Sequence, residues 1–264
     1  MTGNNYIPFR SEIVDIIKHT DVEFTFRMAY SGAVLPGQFF EVSLPHYGEA
    51  PISVSGIDDG VVDLTIRRVG KVTAEVFDYK KDDSLFLRGP YGNGFELENY
   101  RGKELFVIAG GTGVSPVRGV VDYFASHINE VSGLTFVAGF KSPADILFRD
   151  DFDRWGKSVN VILSTDNNGG DTKYRQGLVT EYLPSLQVKD IATAQAIVVG
   201  PPAMMRFTVK GMLERGFAEN NIWVSYERKM CCGMGKCGHC RINDTYVCLD
   251  GPVYNYEKAK LMVD

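Results

Sequence analysis

All five cysteines of this 264-residue chain lie between Cys231 and Cys248. If the second cysteine of the adjacent pair is taken, the spacing is Cys232-x4-Cys237-x2-Cys240-x7-Cys248, with glycines interspersed. Clustered thiolates bind soft metals, and glycines let a backbone wrap closely around a ligand. The x4 and x2 intervals are those of plant-type 2Fe–2S loops. The pattern predicts such a cluster with these four thiolates as ligands.

Two other uses of clustered cysteines fit less well. A structural zinc site usually has two Cys-x2-Cys knuckles, and this chain has one. Disulfides need an oxidising compartment, whereas the chain begins Met1-Thr-Gly-Asn-Asn without a charged and apolar leader. We therefore expect reduced thiols, with cytoplasmic localisation.

Two further residues of the loop have open roles. Cys231 is either an inert neighbour or a replacement for Cys232, which would change the first interval to x5. His239 could ligate a metal, but we expect an exposed side chain that tunes the hydrogen bonding of the cluster. An exposed cluster beside a spare thiol also suggests a reducing, anaerobic setting.

The composition is that of an ordinary soluble protein of one large or two modest domains. Hydrophobic residues make up 44% of the chain, charged residues 23%, and the net charge is −5. There is no basic stripe that would indicate nucleic acid, and no apolar run approaches the roughly 18 residues of a membrane span. These patterns exclude neither an enzyme nor a binding module.

The first hundred residues have the pattern of an antiparallel β barrel or sandwich. Short alternating or β-branched runs are separated by turn residues, and one helix is predicted over Val72–Lys80. The predicted strands are Ile13–Ile17, Val22–Phe26, Gln38–Leu44, Pro51–Ser55, Val61–Arg67 and Ser84–Arg88.

After Asn99–Gly102 the pattern changes to a repeated strand, loop and helix, which predicts an open parallel sheet with crossover helices. Ser115 is expected to cap a helix starting at Pro116, and a second helix is predicted over Pro202–Gly216 with Leu213 among its inward residues. The predicted strands are Leu105–Ala109, Leu134–Ala138, Val159–Leu163, Ala196–Val199 and Ile222–Ser225. The predicted domains are therefore residues 1–100, 101–225 and 226–264.

Two glycine-rich loops follow apolar strands of the predicted sheet. Gly110-Gly-Thr-Gly113 offers close backbone approach and the Thr112 hydroxyl at a helix start, and Gly200-Pro-Pro-Ala-Met204 again opens a helix. Together they suit a dinucleotide. Neither is the Gly-x-Gly-x-x-Gly fingerprint, which disfavours a conventional dehydrogenase.

Cationic and glycine-rich groups also occur in the first domain. Ser53, Arg67, Arg68 and Lys71, with the segment Gly89–Phe95, could hold a phosphate-bearing flavin. The alternative is that the arginines are a solvated strand end and that Tyr91 is a packed turn residue.

The order of these motifs along nearly the whole chain resembles the ferredoxin–NADP reductase superfamily. The motifs are Pro51-Ile-Ser-Val, Ile66-Arg-Arg-Val-Gly-Lys-Val-Thr73, Gly89–Phe95, Gly110–Pro116, Gly200–Met204 and the cysteine loop. The chain is similar to the iron–sulfur flavoprotein branch with the electron-transfer subunits of dihydroorotate dehydrogenase, sulfhydrogenase and anaerobic sulfite reductase. Gly48-Glu-Ala-Pro-Ile-Ser-Val-Ser and the cysteine loop most resemble the last two.

The resemblance implies an FAD-binding barrel, a pyridine-nucleotide domain and a C-terminal 2Fe–2S subdomain, and assigns no catalytic side chain. The residues implied for FAD are Pro51, Ile52, Ser53, Val54, Ile66, Arg67, Arg68, Val72 and Thr73. Those for the nucleotide are Gly111, Thr112, Gly113, Asp166, Gly200, Pro201 and Met204. Those for the cluster are Cys232, Cys237, Cys240 and Cys248.

Two positions depart from the family pattern. Many relatives begin the flavin motif with arginine, whereas this chain has Ala50, which removes a partner for the pyrophosphate. Arg67 or Arg68 could supply that charge, or FAD could bind weakly. The cysteine that usually precedes the Gly-Pro-Pro loop is replaced by Val199.

The implied activity is an ordered electron relay. NAD(P)H delivers a hydride, which an iron–sulfur cluster cannot accept, and a flavin converts it to single electrons. Asp166 at a strand end could bind an unphosphorylated ribose, favouring NADH over NADPH, or it could be only a turn residue before Gly169-Gly170.

From the resemblance we expect the chain to supply electrons to an anaerobic sulfite reductase through other subunits of a complex. The alternatives are the same relay serving a sulfhydrogenase or dihydroorotate dehydrogenase, a non-catalytic relay module with a degenerate flavin domain, or a structural zinc-binding protein. Sequence leaves open the terminal acceptor, the tightness of FAD binding, the role of Cys231 and the oligomeric state.

Overall fold

A computed structural model describes residues 6–262 of the chain. Among these residues the chain forms two compact units. The first comprises the described residues through Phe95, together with Tyr226–Val253 and Met262, and the second comprises Glu96–Ser225 and Tyr254–Leu261. The cysteine loop therefore belongs to the same unit as residues 6–95.

The first unit contains a closed six-stranded antiparallel barrel, which confirms the predicted barrel. Its strands follow the order β1-β2-β5-β4-β3-β6 around the barrel. A short antiparallel pair, β13 and β14, and the helix α5 lie in the cysteine-containing segment of this unit. The strands of the barrel are β1 (Phe9–Lys18), β2 (Glu23–Ala29), β3 (Phe39–Leu44), β4 (Gly48–Asp58), β5 (Val61–Arg67) and β6 (Ser84–Tyr91). The remaining elements are β13 (Arg241–Ile242), β14 (Thr245–Tyr246) and α5 (Val247–Asp250).

Alternation along the barrel strands separates an apolar interior from an outer face. On β3, Phe40 and Val42 pack in the barrel core, whereas Phe39 packs among residues of the cysteine loop. Because successive side chains of a strand point to opposite faces, Glu41 shares the outer face with Phe39. Glu41 is paired with Pro51 on β4 and with Arg88 on β6.

The barrel helix α1 covers Lys71–Val76 and is shorter than the predicted Val72–Lys80. Phe77 and Tyr79 both pack against the barrel core. Contacts two residues apart do not fit one face of a helix, so the chain leaves the helical conformation after Val76.

The second unit is built on the predicted parallel sheet. The strand order is β10-β9-β8-β7-β11-β12-β15, and each pairing from β10 to β12 is parallel. The strands are β7 (Glu104–Gly110), β8 (Gly133–Phe140), β9 (Asn160–Thr165), β10 (Arg175–Gln176), β11 (Gln195–Val199), β12 (Ile222–Ser225) and β15 (Val253–Asn255). The helices are α2 (Val114–Ser126), α3 (Arg149–Trp155), α4 (Pro202–Glu214) and α6 (Tyr256–Ala259).

The helix starts and ends differ from the sequence predictions in detail. Helix α2 begins at Val114 after a tight turn over Gly111–Gly113, so Ser115 lies inside the helix and does not cap it. The Ser115 hydroxyl is buried without a hydrogen-bond partner among the described residues. In α4, Leu213 is only half-buried, and the helix ends two residues before Gly216. No helix within residues 6–262 is long and apolar enough to cross a membrane.

Candidate redox centre and nucleotide loops

The two adjacent cysteines at the start of the loop point in different directions. Cys231 is exposed, whereas Cys232 is 9% exposed. Cys240 and Cys248 are also buried, and Cys237 is exposed at the surface of the loop. The structure thus turns Cys232 inward with the other buried thiols and leaves Cys231 outside.

Backbone N–H groups of the loop point at the sulfur atoms. The Sγ of Cys232 accepts from the backbone nitrogens of Met234 at 3.5 Å, Lys236 at 3.3 Å and Cys237 at 3.4 Å. The nitrogen of Gly235 lies 3.1 Å from the Sγ of Cys248. Such N–H···S contacts favour thiolates and are among the features that set the potential of an iron–sulfur cluster.

The three buried thiols and the exposed thiol of Cys237 form two pairs. The Sγ atoms of Cys240 and Cys248 are 3.2 Å apart, and the side chain of Cys232 hydrogen-bonds to that of Cys237. Among residues 6–262, no group of three or more His, Cys, Asp or Glu side chains converges to hold a single ion. In a 2Fe–2S cluster each iron takes two protein ligands, so two thiol pairs fit that group better than a mononuclear metal.

Glycines at left-handed φ angles allow the loop to fold tightly. Gly233 has φ of 74° and Gly235 has φ of 70°. A Cβ atom on Gly233 would lie 2.6 Å from the Tyr91 ring, and one on Gly235 would lie 2.8 Å from Leu249. Both positions therefore require glycine for conformation and for space.

The environment separates the pKa values of the loop thiols. The backbone N–H of His239 is the main group that lowers the pKa of Cys237. Burial, followed by the neighbouring Cys240 thiol, raises the pKa of Cys248 to about 12. Cys231 is exposed, yet partial desolvation by its neighbours, followed by the nearby Cys237, raises its pKa. The His239 side chain is exposed, and it is the backbone N–H of His239 that hydrogen-bonds to Cys237.

The segment Gly89–Phe95 anchors the cysteine loop, a role that the sequence analysis did not assign. The Asn93 side chain donates to the Val253 carbonyl at 2.8 Å and accepts from the Val253 N–H at 3.2 Å. The Asn93 backbone N–H donates to the Gly251 carbonyl at 2.7 Å. Arg88, also not predicted, donates to the carbonyls of Cys231 and Cys232.

The residues implied for FAD differ in burial. Pro51, Ile52 and Ser53 are half-buried on β4, but Val54 and Ile66 are fully buried in the barrel core. The side chains of Val54 and Ile66 can support the strands, so only their backbones could reach a ligand.

The cationic end of β5 remains open to solvent. Arg67 pairs with Glu23 at 3.3 Å, and Arg68 is exposed with its guanidinium above the Phe77 ring. Val69 is 76% exposed. The Thr73 Oγ accepts from the backbone N–H groups of Val69 and Gly70 and fixes the turn into α1. Exposed cations and an exposed apolar side chain at one strand end fit a ligand with both phosphate and ring groups.

The two glycine-rich loops of the second unit lie directly against each other. A Cβ atom on Gly113 would lie 2.6 Å from the Val199 carbonyl oxygen, and one on Gly110 would lie 2.5 Å from the Met204 Sδ. Gly200, at a φ of 158°, also approaches the Met204 Sδ. Because β7 and β11 are parallel neighbours, both loops occupy the carboxyl edge of the sheet, where open α/β sheets bind ligands.

Asp166 lies on the same edge, after β9. Its backbone N–H donates to the Phe140 carbonyl at 2.9 Å, and its side chain is exposed. Strand β9 is two positions from β7 in the sheet, a separation of roughly 10 Å at the usual strand spacing. That separation suits the two ends of a dinucleotide laid across the sheet edge.

Comparison with known proteins agrees with this arrangement. Residues 107–210 match the oxidoreductase NAD-binding domain family, and residues 227–260 match the iron–sulfur cluster binding domain of dihydroorotate dehydrogenase B. Sulfhydrogenase 2 subunit gamma of Pyrococcus furiosus is 32% identical, with 97% of each chain covered. The chain belongs to the iron–sulfur flavoprotein branch of the ferredoxin–NADP reductase superfamily.

Two further relatives extend the comparison. The probable dihydroorotate dehydrogenase B electron transfer subunit of Thermococcus kodakarensis is 32% identical, with 94% of each chain covered. A solved structure of an NADH-dependent reduced ferredoxin–NADP oxidoreductase, studied for flavin-based electron bifurcation, has a TM-score of 0.79 and 27% identity. The match covers 100% of this chain and 91% of that one.

This family membership defines the chain as an NAD(P)H-dependent flavin and iron–sulfur oxidoreductase subunit. Its cofactors are FAD, a 2Fe–2S cluster and NAD(H). When bound, FAD would accept the two electrons of a hydride together and release them one at a time.

Proposed function

We propose that this chain oxidises NADH and passes the electrons out through its cysteine loop to a partner redox subunit. The observation that carries the proposal is the pairing of Cys232 with Cys237 and of Cys240 with Cys248, within the unit that also bears the flavin motif. These four cysteines are our proposed ligands. Cys237 is exposed, so the loop presents one ligand at the surface.

The proposed binding roles follow the faces of the two units. Pro51, Ile52 and Ser53, with Arg67, Arg68, Val72 and Thr73, would hold FAD, and Arg67 or Arg68 would supply the charge for its phosphates. Val54 and Ile66 would act through their backbones. In the second unit, Gly111, Thr112 and Gly113 with Gly200, Pro201 and Met204 would hold the nicotinamide end.

We infer NADH as the preferred donor because Asp166 is exposed at the carboxyl edge, two strands from the Gly110–Gly113 loop. A carboxylate accepts hydrogen bonds from a ribose hydroxyl and repels a ribose phosphate. Asp166→Ser should narrow the preference for NADH over NADPH by roughly tenfold, which corresponds to about 1.4 kcal/mol. An unchanged ratio of kcat/KM values would assign Asp166 to the turn alone.

For the electron acceptor we propose an anaerobic sulfite reductase, on the resemblance of the Gly48–Ser55 phrase and the cysteine loop. The second candidate is a sulfhydrogenase, favoured by the relative that is 32% identical over 97% of each chain. The same relay would also suit dihydroorotate oxidation, as the named relatives of that system suggest.

The acceptor is tested by purifying the tagged chain anaerobically from its native cells and identifying the subunits that remain bound. NADH-dependent conversion of sulfite to sulfide by that complex is the expected result. Hydrogen evolution or polysulfide reduction without sulfite consumption would replace the sulfite assignment with the sulfhydrogenase one. A complex without any NADH-dependent reductase activity would support the non-catalytic relay module, for which Ala50 is the motivating departure.

A further inference from the structure

Arg88 is an arginine buried beneath the cysteine loop. It lies on β6 and is only 4% exposed, although arginine is among the residue types that are rarely fully buried. Its position in the sheet pairs it with Glu41 of β3, which places both side chains on the outer face of the barrel. This face packs against the cysteine loop through Phe39 and Tyr91.

The Arg88 guanidinium makes five hydrogen bonds, which matches its five N–H donors. Nε and Nη2 bind the two carboxylate oxygens of Glu49, with the Nε contact at 2.9 Å. Nη1 donates to the Tyr91 hydroxyl at 3.0 Å and to the Cys232 carbonyl at 3.0 Å. Nη2 also donates to the Cys231 carbonyl at 3.0 Å. A single rigid group therefore holds two consecutive carbonyls of the loop.

Holding two consecutive carbonyls fixes the direction of both cysteine side chains. In an extended strand, successive carbonyls point to opposite sides, so one guanidinium can bind both only where the chain bends. The chain does bend at Cys231 and Cys232. The bend leaves Cys231 exposed and turns the Cys232 thiol toward the backbone N–H groups of the loop.

We propose that Arg88 is a positioning residue that selects Cys232 over Cys231 as the first cluster ligand. This inference rests on the proposed assignment of the loop to a 2Fe–2S cluster. It explains how two adjacent thiols of equal chemistry, either of which gives an acceptable spacing by sequence, take different roles. Arg88 acts through the backbone carbonyls of the loop, to which it donates.

The surrounding groups hold the guanidinium in this geometry. Glu49 binds it in a bidentate manner, and Tyr91 both accepts from it and covers Gly233 of the loop. Lysine would keep the positive charge, but its single ammonium group cannot span two carbonyls and a carboxylate as a planar fork does. Geometry and charge can therefore be separated by comparing lysine with glutamine at this position.

The test is alkylation of the native protein under anaerobic conditions, followed by mass-spectrometric mapping of the labelled cysteine. In the wild-type protein with its cluster, Cys231 should react and Cys232 should be protected. In Arg88→Gln and Arg88→Lys, the ratio of Cys232 to Cys231 labelling should rise roughly tenfold or more, because at least one charge-assisted hydrogen bond to the loop is lost. If the glutamine variant does not fold, the lysine variant carries the test.

A matched control is Arg118→Gln in the second unit. Arg118 is also largely buried and pairs with Asp151 at 2.7 Å, so its loss removes a comparable ion pair without touching the loop. Its labelling ratio should equal that of the wild type. A ratio that stays at the wild-type value in both Arg88 variants would overturn the proposal.

Iron content distinguishes this inference from the proposed function. A wild-type protein that binds no iron would contradict the proposed function. The exposure difference between Cys231 and Cys232 is present in the polypeptide itself, so labelling of the metal-free proteins still tests Arg88. A further readout is the electron paramagnetic resonance spectrum of the reduced cluster, which should change in Arg88→Gln if Cys231 replaces Cys232.

Discussion

Two exposed thiols in one loop allow ligation to be tested at single residues. Cys231 and Cys237 are both exposed, but only Cys237 pairs with Cys232. Cys237→Ser should abolish the iron content, because one iron would lose a ligand, and should leave reduction of the flavin by NADH intact. Iron analysis and optical spectra measure the two effects.

The matched control is Cys231→Ser, which should keep full iron content because its side chain points away from the loop interior. Full iron retention in Cys237→Ser would contradict the ligand assignment. Iron loss in both variants would indicate that the loop is merely intolerant of substitution.

Glu41 predicts a pH dependence of stability. Burial raises its pKa from 4.5 to about 7, with Arg88 partly opposing that shift, and neither carboxylate oxygen has a hydrogen-bond partner among the described residues. The folded state therefore holds this proton more tightly than the unfolded state. The contribution of Glu41 to stability should be fully present below pH 4.5 and be lost as the pH rises through about 7, a total of about 3 kcal/mol.

Glu41→Gln removes the titrating group and should therefore flatten the fall in stability with pH. Unfolding experiments at several values between about pH 5 and about pH 8 would measure this difference. The control is Glu12→Gln, since Glu12 is an exposed glutamate of the same barrel. The prediction fails if the Glu41 and Glu12 variants show the same pH dependence as the wild type.

Single residues were predictable where their chemistry is local. The spacing of the four cysteines and of the glycines between them predicts a metal-binding loop. The structure groups the four thiols as two pairs. Arg88 was not predictable, because an arginine before Gly89-Pro90 has the same sequence pattern whether it is solvated or buried. Its four partner residues, Glu49, Tyr91, Cys231 and Cys232, come from β4, β6 and the cysteine loop and lie up to 144 positions away.

At the scale of elements, the packing of two loops predicts the effect of one methyl group. Gly113 has an ordinary helical φ of −62°, but a Cβ atom there would lie 2.6 Å from the Val199 carbonyl oxygen and 2.8 Å from the Gly200 Cα. Gly113→Ala should therefore separate the two glycine-rich loops, destabilise the protein by about 1–3 kcal/mol and weaken NADH binding. Calorimetric titration with NADH and thermal unfolding measure these effects.

Gly133→Ala provides the control on the same sheet. Gly133 starts β8 at the opposite edge, and a Cβ atom there has no contact closer than 3.5 Å. NADH binding should be unchanged in this variant. Equal NADH affinity in the Gly113 and Gly133 variants would contradict the assignment of the loops.

Strands and helices were predictable where their sequences have a clear hydrophobic pattern. Strands β7 to β9, β11 and β12 are mostly apolar and were located within two residues at each end. The end of α1 and the start of α2 were mispredicted, because Phe77 and Tyr79 pack on the barrel and the turn over Gly111–Gly113 lets α2 begin at Val114. The short α3, β10, β13 and β14 lack a periodic signal of their own.

At the scale of the whole molecule, the sequence predicted the barrel and the parallel sheet. It did not predict that the cysteine segment forms one unit with the barrel. The barrel and the parallel sheet follow from the change of pattern near residue 100. The cysteine segment is separated from the barrel by more than 130 positions, yet it forms one compact unit with it. Asn93 and Arg88 make that attachment through backbone carbonyls, which carry no signature in the sequence.

The central claim is that one chain takes electrons from NADH and delivers them through FAD to the cysteine-bound cluster. The most direct test is an anaerobic optical titration of the purified protein with NADH, with flavin and iron content measured on the same sample. The account predicts that NADH bleaches both the flavin and the iron–sulfur absorbance. Full iron–sulfur absorbance without bound flavin, and no response to NADH, would contradict it.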